Sequence, residues 1–173
     1  ERLLRRTADA AMQSGVPVQF SLFNDVLSET AQSPVYLFLN AFVLFEADRE
    51  RLHALLAKQE AAAIWLYAPG ALAAGEDVSM EEAVSATTGI PVGQFEEAAM
   101  TGSTWLLPGE WLDKDAVFGE SVAVEPLFHI EDPPEGAGDD EVPYDILARY
   151  QASEEGSIAS RFYDEGWASF LVT

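Results

Sequence analysis

VYLFLNAFVLFEADRERLHALLAKQEAAAIWLYAPG, Val35 to Gly70, holds two apolar runs joined by an amphipathic segment. Val35 to Phe42 is too continuously apolar for a strand with one face in water, so a strand covered on both faces is expected. Glu46 to Gln59 sets Leu52, Leu55, Leu56 and Ala47 on a buried side and turns Arg49, Glu50, Arg51 and Lys58 to water, the pattern of a surface helix. Ala61 to Tyr67 is a second apolar strand, and Ala68, Pro69 and Gly70 form a tight exit turn. Strand, helix and strand at this spacing make a βαβ unit with a parallel pair.

Upstream, Arg2 to Gln13 carries Leu3, Leu4, Ala8, Ala11 and Met12 near one helical face, and Ser14-Gly15 ends it. Val16 to Phe23 reads as a strand punctuated by Asn24 and Asp25. The expected architecture is therefore a parallel sheet with strands from Val16, Val35 and Ala61, flanked by the helices from Arg2 and Glu46. Downstream, Ser79 followed by Glu82 is the reciprocal capping pattern of a helix over Ser79 to Thr87, which Gly89 stops. From Ile90 the texture changes to short strands at Thr104 to Leu107, Val122 to Ile130, Ile146 to Tyr150, Ser157 to Tyr163 and Trp167 to Val172. Asp164, Glu165 and Gly166 form a hairpin loop between the last two. The fold class is α/β, with an antiparallel C-terminal extension; residues 1–173 are read as one domain, with a subdivision near Ile90 as the alternative.

Thirty acidic against nine basic residues give a formal charge of −21, which repels phosphate backbones and anionic membrane surfaces. Nucleic acid and membrane partners are not expected. The acidity is densest between Lys114 and Arg149, in a stretch without the ligand register of a calcium loop, and it reads as solvated loop. Such charge with only two lysines, Lys58 and Lys114, suggests a high-salt habitat where repulsion is screened. The absence of cysteine removes disulfides, thiolate metal sites and a cysteine nucleophile. No apolar run reaches membrane-spanning length, and ERLLRR lacks the apolar part of a signal peptide, so a soluble, cytoplasmic protein is expected. A start in helical periodicity without methionine is what a segment of a longer protein would show.

Ligands of open α/β sheets bind beyond the carboxyl ends of the parallel strands, which places Asn24, Asp25, Asn40, Tyr67, Pro69 and Gly70 around a candidate crevice. Each also has a purely structural reading: Asn40 as a strand-ending turn residue, Pro69-Gly70 as an exit turn without a phosphate-binding motif. His53, beside the buried stripe of its helix, and His129, in an apolar strand, read as core or boundary residues, and no metal or cofactor is expected. Glu81-Glu82 and Glu96-Glu97 are sequence neighbours that point apart, unlike the facing carboxylates of glycosidic chemistry. Trp105, Trp111 and Phe118 surround LLPGEWLDKD; interface or core packing is preferred for Trp105 and Trp111 over stacking on a sugar.

VPVQFSLFNDVL followed by SPVYLFLNAFVLFEADRERLHALLAKQEAAAIWLYAPG, and later VPYDILARYQASEEGSIASRFYDEGWASFLVT, resemble the amidotransferase-like, flavodoxin-type domain of β-galactosidase-related glycoside hydrolases. The resemblance is best over Gly15 to Gly70 and Asp145 to Val172 and contains no chemically diagnostic motif. It implies a domain that follows a catalytic barrel and contributes to oligomerisation, with a trimer as the expectation. Such domains begin with a strand before the first helix and end with a further helix, which this chain lacks. Amidotransferases of this fold place a cysteine at the sharp turn after a central strand, whereas Tyr67-Ala68-Pro69-Gly70 offers no nucleophile, and no GxSxG elbow exists. The expected function is a non-catalytic structural or oligomerisation domain of a carbohydrate-active enzyme. The alternative is a carbohydrate-binding module or independent hydrolase using the crevice. The contact surface expected for the first reading is Trp105 to Trp111, ahead of the Arg49 and Arg51 side of the helix.

Overall fold

A computed structural model describes residues 2–73, 78–106, 117–119, 123–134 and 142–173. The amphipathic stretch after the first apolar run folds as expected: α3 spans Glu46–Gln59 and buries Leu52, Leu55 and Leu56. Ala47, in the first turn of α3, is exposed instead of buried. Two short helices precede it in the chain, α1 (Arg2–Gln13) and α2 (Phe23–Leu27). The flanking strands, β1 (Val35–Phe38) and β2 (Ala62–Leu66), pair in parallel with Val35 opposite Ala62 and Phe38 opposite Trp65. The βαβ unit read from Val35 to Gly70 is present.

The third parallel strand comes from the other end of the chain. Residues 16–22, expected as a strand, form neither strand nor helix, and β2 takes β11 (Ala168–Val172) as its second parallel neighbour. Two local causes act against the expected strand. Pro17 supplies no N–H to a ladder, and the Asp25 carboxylate accepts the Leu22 N–H at 3.3 Å, starting α2 where the strand would continue. α2 buries Val26 and Leu27 and sets Phe23 edge-on to Phe38.

β1 ends at Phe38, well before the expected Phe42, and only one of its faces is covered. Tyr36 and Phe38 point inward, while Val35 is 49% and Leu37 40% exposed. The reason is position. β1 is the outermost strand of the sheet, and α1, expected to flank it, has no buried residue from Arg5 to Gln13. β2, held between β1 and β11, has Ala63 and Trp65 fully buried; Trp65 stacks on Phe38 at 4.4 Å and donates its indole N–H to Ser169 Oγ at 3.0 Å.

Beyond β11 the sheet turns antiparallel, through β10 (Gly156–Phe162) and β9 (Asp145–Tyr150) to β5 (Ser103–Trp105) and β6 (Val117–Phe118). β3 (Val92–Gln94) pairs β8 (Phe128–Ile130), which touches β10 at Gly156, while β4 (Ala99–Met100) and β7 (Ala123–Val124) form a separate small ladder. The strand expected over Val122 to Ile130 is thus two, separated at Glu125 to Leu127, where Pro126 cannot donate a ladder bond. Together these strands form a curled mixed sheet with flanking helices, a flavodoxin-like α/β architecture with an antiparallel C-terminal extension.

α4 (Met80–Thr88) shows how the two parts of the sheet are tied. Ser79 Oγ accepts the Glu82 N–H and the Glu82 carboxylate accepts the Ser79 N–H, the reciprocal cap legible in the sequence. At the other end Gly89 turns left-handed (φ +71), and the last carbonyls, which no helix bond satisfies, are taken by side chains. His53 Nε2 donates to Thr87 O at 2.8 Å, Tyr163 to Thr88 O at 3.1 Å, and Arg161 to Gly89 O at 2.6 Å. Tyr163 in turn stacks on Trp167 at 3.9 Å across the expected hairpin, whose Gly166 has φ +88.

Candidate functional site

The carboxyl ends of β1, β2 and β11 meet, as they must in a parallel set. The loops that leave β1 and β2 are zipped together: Gly70 N–H donates to Ala41 O at 2.8 Å and Leu72 N–H to Phe42 O at 2.9 Å. Tyr67 stands directly after β2 with φ +72, a left-handed conformation uncommon for a residue with a side chain. Its N–H reaches Val172 O at 2.7 Å, and its ring lies edge-on to Phe42 and Phe128. The phenol donates to Pro126 O, and burial pushes its pKa above the ordinary value, so the group stays a protonated donor. The sharp, strained turn after this strand therefore exists, but it carries a hydrogen-bonded phenol where a nucleophile would stand.

Pro69 and Gly70 are buried behind this residue. Gly70 has φ +82, and a Cβ there would lie 2.6 Å from Thr87 Oγ1, so α4 packs directly against the turn. Asn40 is exposed at the end of the β1 loop. Asn24 and Asp25 lie on α2, exposed, with their polar contacts confined to residues 22–31. Since residues 16–22 form no strand, there is no carboxyl end there to carry these two into a crevice. Of the six candidate residues, Tyr67, Pro69 and Gly70 form one packed unit; Asn24, Asp25 and Asn40 contribute no contact to it. At these strand ends the Tyr67 ring has Phe42 and Phe128 edge-on at 6.0 and 5.9 Å.

An open recess of about 540 Å³ lies at the β5 and β9 side, bordered by Thr104, Asp132, Arg149, Glu154 and Glu155. Arg149 spans it. Its guanidinium donates to both oxygens of Asp132, at 2.5 and 3.3 Å, and to Glu154 O at 2.7 Å. The Asp132 hydrogen bond holds the Arg149 pKa above its usual range. The one cation is thus neutralised by its own neighbours, and Glu154 and Glu155 leave the recess acidic. The signal in the sequence was Arg149 itself, the base that ends the acidic stretch.

The histidines serve separate neighbourhoods. His53 is a ligand of the α4 C-terminus, and burial lowers its pKa. His129 packs on Phe95 and lies 3.5 Å from Glu155. Among the described residues no group of three or more His, Asp or Glu side chains could hold a metal ion. Glu96 and Glu97 are exposed and Glu82 is a helix cap. Trp105 is partly exposed on β5, edge-on to Phe118. Trp111 lies outside the described residues.

A surface that the sequence reading did not single out is apolar. Val16, Val18, Phe20 and Leu22 are 64, 42, 58 and 74% exposed, and Val35, Leu37, Val43 and Phe45 add to them. No charged residue stands between Asp9 and Asp25, nor between Glu29 and Glu46. In a chain of charge −21 these are the two long charge-free stretches of the first sixty residues. Among the described residues no helix is long and apolar enough to cross a membrane. Comparison with known protein families, with curated proteins and with solved structures gave no match.

Proposed function

We propose that this chain is a non-catalytic structural domain that holds subunits or neighbouring domains together in a carbohydrate-active enzyme related to β-galactosidases. The observation that carries this reading is the distribution of exposed apolar side chains. Among the described residues, half of the exposed large apolar side chains fall on two charge-free stretches, at Val16 to Leu22 and Val35 to Phe45, while the turn after β2 carries the hydrogen-bonded Tyr67 in place of a nucleophile. Several exposed apolar side chains in one stretch of chain suit a contact site, and association of a chain this acidic is least opposed where carboxylates are absent. Under this reading the partners are further copies of the chain, two in the trimer that the family resemblance implies, and a catalytic barrel in the parent protein.

The test combines turnover with mass. Purified chain is expected neither to release ammonia from glutamine nor to cleave a β-galactoside, and to associate as salt rises and screens its charge. Turnover that disappears when an internal residue such as Tyr67 is replaced would overturn the non-catalytic reading. Binding of a glycan at the Arg149 recess, lost in Arg149→Ala, would replace it with the carbohydrate-binding alternative.

A further inference from the structure

We propose that the outer edge of β1 receives a strand from a second copy of this chain, and that the strand is residues 16–22. The inference rests on the reading of the chain as a holding domain and names the surface and the partner.

β1 pairs on one side only, with β2, so the N–H and C=O groups of its other edge face no strand. Open edges in folded proteins are commonly blunted by charge, proline or a bulge. β1, Val-Tyr-Leu-Phe, is short and follows Pro34, but it carries no charge or bulge, and its Val35 and Leu37 side chains are exposed beside this edge. Residues 16–22 are the complementary half. They read Val-Pro-Val-Gln-Phe-Ser-Leu, apolar at every second position, the period of a half-buried strand. All four apolar side chains are exposed, and the segment makes no backbone hydrogen bond to β1 of its own chain. Pro17 falls where proline is tolerated, on an added edge strand.

Each copy therefore presents an edge that no strand covers, where the Ser33 side chain bonds the Val35 N–H and C=O at 3.3 and 2.8 Å and would be displaced, and a segment, residues 16–21, that no strand pairs. Adding the donor of one copy to the edge of another supplies main-chain hydrogen bonds and covers Val35 and Leu37, as in strand addition generally. Charge selects the same pairing: both halves lie in charge-free sequence, so two chains of −21 meet there with the least repulsion. The donor and acceptor relation closes either reciprocally in a pair or head to tail in a ring.

The chain has no cysteine, which permits a direct test. Val18→Cys and Val35→Cys are made singly and together and treated with a short bis-maleimide. Mixing the two single variants is expected to give a cross-linked heterodimer as the main product. Cross-linking confined to monomers of the double variant would overturn the proposal by showing that the segment pairs with its own edge. In parallel, light scattering over a salt series compares wild type with Leu37→Lys, a charge placed on the open face, which is expected to weaken association at least tenfold while leaving the thermal melt of the monomer in place. An oligomer indifferent to Leu37→Lys and without the heterodimer overturns this surface but leaves the holding function standing. A wild-type monomer at every concentration and salt overturns both.

Discussion

Replacing Gly70 by alanine tests whether the turn after β2 is a packing element. The added Cβ would sit 2.6 Å from Thr87 Oγ1 and 3.3 Å from Ala83 O, and the residue would have to hold φ +82. The left-handed backbone alone costs about 1–2 kcal/mol for a residue with a side chain. To make room, the Thr87 hydroxyl must leave its 2.8 Å bond to Ala83 O, and Thr87 is fully buried, so an unsatisfied hydroxyl adds about 1–3 kcal/mol. The sum is about 2–5 kcal/mol, which for a chain of this length lowers the melting temperature by about 4–20 °C. Thr87→Ala removes the clashing atom, so the double variant should be less destabilised than the sum of the single variants by about 1–2 kcal/mol. Circular dichroism melts of the four proteins measure this cycle. A Gly70→Ala protein that melts within a degree of wild type, or strict additivity in the cycle, would refute the argument that α4 packs directly on this turn.

Glu60 ends α3 in a left-handed conformation, φ +49, with its N–H on Ala57 O and the next N–H on Leu56 O, a position that suits glycine. Glu60→Gly should relieve a left-handed cost of about 1–2 kcal/mol against about 0.5–1 kcal/mol of added chain entropy, a net gain of about 0.5–1 kcal/mol, and a melt lower than wild type would contradict this. His53 has its pKa lowered from 6.5, chiefly by burial, so the unfolded chain takes up the proton more readily than the folded one. Its contribution to stability is complete above the unfolded value of 6.5 and is lost as pH falls from there through the folded value. Melting of wild type minus His53→Asn should therefore fall between pH 7 and pH 5, and a flat difference would show that the imidazole is not desolvated at the α4 C-terminus.

The parts legible in the sequence are those whose cause is local. α3 runs over the expected residues because its buried stripe and polar face are written at helical spacing within it. The Ser79 to Glu82 cap and the Gly89 to Ser85 stop are contacts between residues three and four positions apart, and the Gly166 hairpin needs only its own loop. The parallel pairing of β1 with β2 also follows, since a strand, a helix and a strand of these lengths admit few other arrangements. Tyr67 and Gly70 were recognised as a turn for the same reason.

What the tertiary structure alone decided is which strands are neighbours and which faces find cover. Alternation in Val16 to Leu22 is the same whether the segment is paired or solvent-facing, so the sequence pattern could not show that β11, some hundred residues after β2, would take the second parallel place. Nor could the apolar run from Val35 reveal that Val35 and Leu37 would lie uncovered, because coverage depends on α1 and on the sheet's end position, not on β1 itself. The Tyr67 to Phe128 ring contact and the Arg149 to Asp132 pair likewise join residues far apart in sequence. The sequence by itself determined the local elements, because periodicity, caps and turns act over a few residues; the tertiary structure decided the sheet edge and the uncovered face of β1, because burial is a property of the neighbours a residue acquires.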